Sequence, residues 1–220
     1  MKLLSGPLSM FGAKAEIALR EKGVDFELEM VLYDPQHGYQ PKHPDVLRVN
    51  PKRQVPVLLD ADIEIFDSTQ IFEYAEDRWP TPLLWPASPA ARARARQLEH
   101  ACDEVFFPHV IRLMGLRANP DPIDSPEWIQ ARTAINDYYA QMESRISGRE
   151  YFVDVLSYVD ITFYMAQFFA ARHTVPMTSA HSHLLEWRRR MAKRPAVRTV
   201  IDRMSDYLKS IGRPVPDFGA

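Results

Sequence analysis

Four short stretches of the 220-residue sequence carry residues whose types and spacing could do chemistry. The first is Ser9, in Gly6-Pro7-Leu8-Ser9-Met10-Phe11. It follows a short apolar run and precedes a helical stretch. A hydroxyl there sits near a helix N-terminus, where free N–H groups and the helix dipole favour negative charge. Ser9 can cap that helix, or it can donate a hydrogen bond to an anionic ligand atom. A donor to a thiolate favours the charged form and lowers the thiol pKa. Each pKa unit is worth about 1.4 kcal/mol. The second stretch is Asn50-Pro51-Lys52-Arg53-Gln54-Val55-Pro56-Val57-Leu58. Its Val-Pro step opens a strand. A cis bond there would turn the Val55 backbone toward an extended ligand. The other role for Pro56 is to block pairing at a sheet edge.

The third stretch is Asp67-Ser68, at the start of a helical segment. Asp67 with Gln70 resembles a capping box. The same pair could hold an amino acid headgroup, with Ser68 and the helix N–H groups on its carboxylate and Asp67 on its ammonium. The fourth is Ser157-Tyr158-Val159-Asp160-Ile161, whose Ser-x-x-acid spacing is a structural cap. It opens a helix that is too apolar for the surface (Ile161, Phe163, Tyr164, Phe168 and Phe169), which predicts a central helix.

The elements that must position these residues fall into two halves. Lys2 to Leu4 predicts a strand and Phe11 to Lys22 a helix closed by Gly23. Val24, Phe26, Leu28 and Met30 alternate with acidic residues, which predicts a half-buried strand. Tyr33 to Pro44 predicts a loop. Val57 to Leu59 and Glu64 to Phe66 predict a hairpin, and Ser68 to Arg78 a helix. Trp79 to Pro89 holds four prolines and predicts a linker. Five helices are predicted after it: Ala90 to Arg117, Pro126 to Ser147, Ser157 to His173, Ser182 to Lys193 and Ala196 to Ile211. The breaks between them fall at Asn119-Pro120-Asp121-Pro122, Gly148, Pro176 and Pro195. The basic runs Ala90 to Arg96 and Arg188 to Arg190 are expected to be solvated helix faces.

Composition limits the function classes. The 27 Lys and Arg against 29 Asp and Glu give no basic excess for nucleic acid or an anionic membrane. A single Cys excludes an intrachain disulfide framework and a Cys-cluster zinc site, and it fits a reducing cytosol. No charged-then-apolar leader is visible, and no apolar run approaches the roughly 18 residues of a membrane span. The expectation is a soluble cytoplasmic protein with no metal.

Taken in order, these stretches resemble the cytosolic glutathione transferase family. The resemblance rests on Leu3 to Ser9 with Ile17-Ala18-Leu19, Asn50 to Leu58, Asp67 to Tyr74, Tyr151 to Ile161, and Arg194-Pro195-Ala196-Val197. It implies an α+β chain. A thioredoxin-like N-terminal domain (1–80), with four strands and three helices, would be followed by a linker (81–89) and an all-helical C-terminal domain (90–220), usually in a homodimer. It also implies a glutathione co-substrate site. Asp67 and Ser68 match the pair that holds the γ-glutamyl group. Val55, before Pro56, matches the residue that pairs with the cysteinyl unit. Gln54 matches the polar position near the glycine end, whose carboxylate His43 or Lys42 could reach. Ser9 falls where the serine-type classes, such as phi, tau and theta, keep the hydroxyl that activates the thiol. Met10 follows it where many members have Pro, which leaves Ser5, or no hydroxyl, as the alternative.

The lone Cys102 falls outside the loop where cysteine-type classes keep their nucleophile, and it reads as a small buried hydrophobe. The activity implied is attack of the glutathione thiolate on an apolar electrophile, as in detoxification. Met10, Phe11, Phe106, Phe107, Ile111 and Met114 are candidates to receive that electrophile. The rival expectation is an interaction protein of the same fold that binds glutathione weakly or not at all.

Overall fold

The computed structural model describes residues 1–34, 36–116, 123 and 125–217. The chain divides into two compact units. The first joins Met1–Leu84 to Pro195–Pro214 and the second joins Trp85–Arg194 to the C-terminal end. The 1–80, 81–89, 90–220 division follows the prolines along the chain. By contacts, the last helix groups with the sheet.

The first unit holds strands β1 (Lys2–Ser5), β2 (Glu27–Met30), β3 (Val57–Asp60) and β4 (Ile63–Phe66). Its helices are α1 (Met10–Glu21), α2 (Pro44–Val49), α3 (Ser68–Arg78) and the last in the chain, α9 (Pro195–Ser210). The sheet order is β2-β1-β3-β4, with β1 and β2 parallel and the other two pairs antiparallel. This is the thioredoxin-like arrangement the resemblance implied. Alternating side chains bury both faces. Leu3 and Leu58 pack on one side with Ala15 and Leu19 of α1 and Ile71 and Ala75 of α3. Leu4 and Val57 pack on the other with Val31, Val46 and Val55.

Two local predictions shift for physical reasons. The expected strand from Val24 begins only at Glu27. The chain first closes α1 with Gly23 at φ +66° and the bonds Gly23 N–H to Arg20 and Val24 N–H to Leu19, which spends Val24 on the helix end. At Pro44, the last residue of the predicted loop, α2 opens where no helix was predicted. Its signals were a proline at the first helical position and a histidine before it.

In α9, Val197, Val200, Ile201, Met204 and Leu208 form the buried stripe. Glu16 of α1, fully buried, accepts from Arg203 of α9 (Nη1 to Oε1, 3.0 Å) and from Arg20 (2.8 Å). That ion pair ties residues 187 positions apart.

The second unit contains α4 (Pro89–Ala101), a π-helical turn (Cys102–Phe106), α5 (Phe107–Leu116), α6 (Pro126–Ile146), α7 (Tyr158–Arg172) and α8 (Ser182–Ala192). The single helix expected from Ala90 is thus interrupted. Pro108 has no N–H to give the preceding turn, and the widened turn beside it, with Phe107 N–H bonding Cys102, takes up the mismatch. The expected break at Asn119-Pro120-Asp121-Pro122 lies outside the described residues.

Helix α7 is central as predicted, with Tyr158–Ala170 buried throughout. Asp160 accepts from the Ser157 N–H (3.0 Å) and hydroxyl (2.8 Å), the Trp187 indole (3.0 Å) and the Phe152 N–H (3.3 Å). Leu84 and Trp85, within the expected linker, are buried. One expectation about the surface is corrected. Arg188 is buried rather than solvated, because it pairs with Asp217 at 2.7 Å.

Candidate functional site

The register of the sheet determines where the candidate residues meet. Leu4 pairs with Val57, which pairs with Phe66. The C-terminal ends of β1 and β4 and the start of β3 therefore lie at one end of the sheet. Gly6–Ser9, Val55-Pro56 and Asp67-Ser68 all leave from that end.

Ser9 is the N-cap of α1, with extended backbone. Its N–H donates to the Gly6 carbonyl (3.1 Å), closing a turn, and its Oγ accepts from the Gly12 N–H (3.0 Å). Accepting there leaves the hydroxyl hydrogen to donate to a second group. Ser9 is 7% exposed and Ser5 is 1% exposed. A Cβ on Gly12 would lie 2.1 Å from Ser5 Oγ and 3.1 Å from Ser9 Oγ, so both hydroxyls close on the backbone of α1 and position 12 admits only glycine without a shift. Of the two serines, Ser9 is the one that keeps a surface.

The Val55–Pro56 bond is cis. Val55 lies two residues before Val57, the first paired residue of β3. The loop before it is organised by Asn50, the first residue of the Asn50 to Leu58 stretch. Asn50 Nδ2 donates to the Gln54 carbonyl (2.6 Å), its Oδ1 accepts from Lys52 N–H (2.9 Å), and its carbonyl accepts from Arg53 N–H (2.8 Å). The Asn-Pro step was the available signal. Gln54 itself is exposed.

Asp67 caps α3, with Oδ1 accepting from Thr69 N–H (3.0 Å) and Gln70 N–H (3.3 Å). Its φ of +75° with ψ of 128° is a conformation that costs a non-glycine residue roughly 1–3 kcal/mol. Such strain persists where the surroundings over-determine it, and it concentrates at ligand clamps. Ser68, the first residue of α3, is buried directly after it.

His43 has another task. Its Nδ1 accepts from Asp45 N–H (3.2 Å) as the cap of α2, and its Nε2 lies 2.9 Å from Glu29. Both ring nitrogens are engaged. Glu29 also receives Lys2 at 3.0 Å, which holds its carboxyl below the usual range. Lys42, half-buried, forms no ion pair among the described residues.

The apolar candidates sort by exposure within their own units. Met10, Phe106 and Phe107 are buried, and Phe106 packs among Tyr138, Tyr139 and Phe163. Phe11 is half-buried, while Ile111 (51%) and Met114 (37%) are exposed. Cys102 is buried, with Sγ 3.3 Å from the Tyr138 hydroxyl. Among the described residues no cluster of metal-ligating side chains occurs, and no helix is long and apolar enough to cross a membrane.

Residues 8–78 match the family model for the glutathione S-transferase N-terminal domain, and residues 94–195 match the model for its C-terminal domain. The chain belongs to the cytosolic glutathione transferase family. A stringent starvation protein A homolog of Haemophilus ducreyi is 30% identical over 161 residues, covering 73% of this chain and 70% of that protein. The homolog from Coxiella burnetii is 36% identical over 109 residues; there the chain spans about half the relative's length, 48%. Among solved structures, a glutathione S-transferase from Rhodospirillum rubrum F11 superposes with a TM-score of 0.77 at 27% identity, covering 91% of each chain.

Proposed function

We propose that this family member is a glutathione transferase that uses Ser9 to hold the glutathione sulfur as a thiolate. The observation that carries the reading is the convergence of Gly6–Ser9, Val55-Pro56 and Asp67-Ser68 at one end of the sheet. Asp67 pairs with the γ-glutamyl ammonium, and Ser68 with the first N–H groups of α3 receives the carboxylate beside it. The Val55 backbone holds the cysteinyl unit as an added strand. Gln54 and Lys42 are the groups offered to the glycine carboxylate, since His43 is occupied by Glu29 and Asp45.

Ser9 O–H then donates to the sulfur while Gly12 N–H fixes the oxygen. The thiol proton leaves to solvent, and the thiolate forms a bond to an electrophilic carbon. As it does, that carbon's leaving group departs with its bonding pair or, in an addition, its π pair moves to the neighbouring atom and takes up a proton from solvent. Phe11, half-buried in the unit that carries Ser9, offers apolar surface for that second substrate. We also read the protein as a cytoplasmic homodimer, which light scattering at micromolar concentration tests.

Calorimetry and ultraviolet titration of bound glutathione test the reading. Wild type should bind glutathione and ionise its thiol below the free value. Ser9→Ala should bind nearly as well, while its thiol midpoint rises by about 1–2 pH units, the worth of one charge-assisted donor. Absence of binding, or an unchanged midpoint in Ser9→Ala, would remove the assigned role. A second reading, an interaction protein of the same fold, is favoured by the names of the Coxiella and Haemophilus relatives, which are not those of transferases. It predicts no glutathione-dependent rise in melting temperature.

A further inference from the structure

Tyr39 lies against the turn that presents Ser9. A Cβ added to Gly6 would fall 2.2 Å from Tyr39 Cε1 and 2.3 Å from its hydroxyl oxygen, so the ring sits directly on the Gly6 backbone. Gly6 is the first residue of the turn whose last residue is Ser9, closed by the 3.1 Å bond between them. The same tyrosine packs against the core cluster of Leu4, Val31, Val46, Val55 and Val57. One side chain therefore touches both the turn that carries the hydroxyl and the cluster that contains Val55.

The ring is supported from behind. Residues Asp34 and Gly38 form a mutual pair of backbone bonds, each 2.7 Å, and Asp34 Oδ1 accepts from the N–H groups of Gln36 and His37. Those two bonds hold the Asp34 carboxyl below its usual range. This tight loop delivers Tyr39 to its place. Tyr33 meets the Tyr39 ring edge-on, with centroids 4.9 Å apart, and Tyr207 of α9 meets Tyr33 at 6.2 Å while its hydroxyl donates to the Tyr33 carbonyl. A row of three aromatic rings thus runs from α9 to the Ser9 turn within one compact unit.

We propose that Tyr39 is a positioning residue. Its ring holds the Gly6–Ser9 turn, and with it the Ser9 hydroxyl, against the Val55 cluster, and Tyr33 and Tyr207 brace it from α9. The inference rests on the glutathione reading above. The contact with Gly6 is steric, and Cε1 and Cζ, which phenylalanine keeps, carry it together with the hydroxyl oxygen.

The test titrates the bound glutathione thiol in wild type, Tyr39→Phe, Tyr39→Ala, Gly6→Ala and the Gly6→Ala/Tyr39→Ala double variant, each first shown to melt cooperatively. Tyr39→Phe should keep the wild-type midpoint. Tyr39→Ala and Gly6→Ala should each raise it by about half a unit or more and lower kcat by roughly threefold or more, because a small displacement of a reacting group is costly. The double variant should match Tyr39→Ala rather than show the sum, since both changes release the same contact. Midpoints in Tyr39→Ala and Gly6→Ala equal to wild type, with glutathione still bound, would overturn the proposal and leave the glutathione reading intact. Failure of the wild type to bind glutathione would overturn both. Should Tyr39→Ala not fold, Tyr39→Leu, which keeps bulk without a ring, takes its place under the same criteria.

Discussion

Replacing Lys22 by methionine probes how α1, the helix that Ser9 caps, is anchored at its far end. The Lys22 ammonium is withdrawn from solvent, with its side chain 0% exposed. It lies 2.6 Å from Glu76 Oε2 of α3 and donates to the carbonyls of Trp79 (2.7 Å) and Pro82 (2.8 Å). An ammonium has three hydrogens, and each has an acceptor. Methionine keeps the apolar stem but removes the charge and all three donors. Two carbonyls lose a partner, and a carboxylate that is itself buried loses its cation. Removing one member of a buried, hydrogen-bonded pair costs about 3–5 kcal/mol, against a total stability of about 5–15 kcal/mol for a domain.

Urea denaturation of Lys22→Met should show a lower midpoint with an unchanged slope. The Lys22→Met/Glu76→Gln double variant should recover about 1–2 kcal/mol of the loss, since the charge left behind is also removed. The folded fraction should still bind glutathione, because Ser9 lies at the other end of α1. A loss below about 1 kcal/mol would refute the reasoning, since a well-satisfied buried pair cannot be opened that cheaply.

Three further outcomes follow from the same kind of argument. Arg203→Met leaves Glu16 with Arg20 alone, so α9 should loosen and its amides exchange with solvent faster than those of α1; equal protection in wild type and variant would contradict this. Gly12→Ala places a methyl 2.1 Å from Ser5 Oγ and should cost about 1–3 kcal/mol by thermal melting, with partial recovery when Ser5 is also alanine. Burial pushes Asp160 up to about 6 despite its four donors. The folded state therefore holds a proton there that the unfolded chain, near 3.8, has already lost. The stability from that proton is present below pH ~4 and lost as pH rises through about 6. Two pH units at about 1.4 kcal/mol each give a decline near 3 kcal/mol. The difference in stability between wild type and Asp160→Asn should shrink by that amount from pH 4 to pH 7, and a constant difference would refute it.

The parts of the fold legible in the sequence are those written in local rules. Period-two alternation located β2 and short apolar runs the other three strands, Ser9, Asp67 and Ser157 marked helix starts, and Gly23 marked an end. The Val55–Pro56 step was readable because only proline makes a cis bond common. What stayed hidden depends on distant partners. Nothing near Glu16 announces Arg203, 187 residues away. Lys22 looked like an ordinary helix end, yet it anchors the segment before Trp85. His43 had the right type and place to reach a carboxylate, but Glu29 already takes it. Gly6 gave no sign that a tyrosine ring would cover it. The resemblance supplied the thioredoxin topology, because periodicity fixes neither strand order nor direction.

The most direct measurement of the central claim is a crystal structure of the protein with glutathione bound. The account predicts the sulfur within hydrogen-bonding distance of Ser9 Oγ, the γ-glutamyl group on Asp67 and Ser68, and the cysteinyl backbone alongside Val55. A sulfur held by another group, or turned away from the Ser9 hydroxyl, would contradict it.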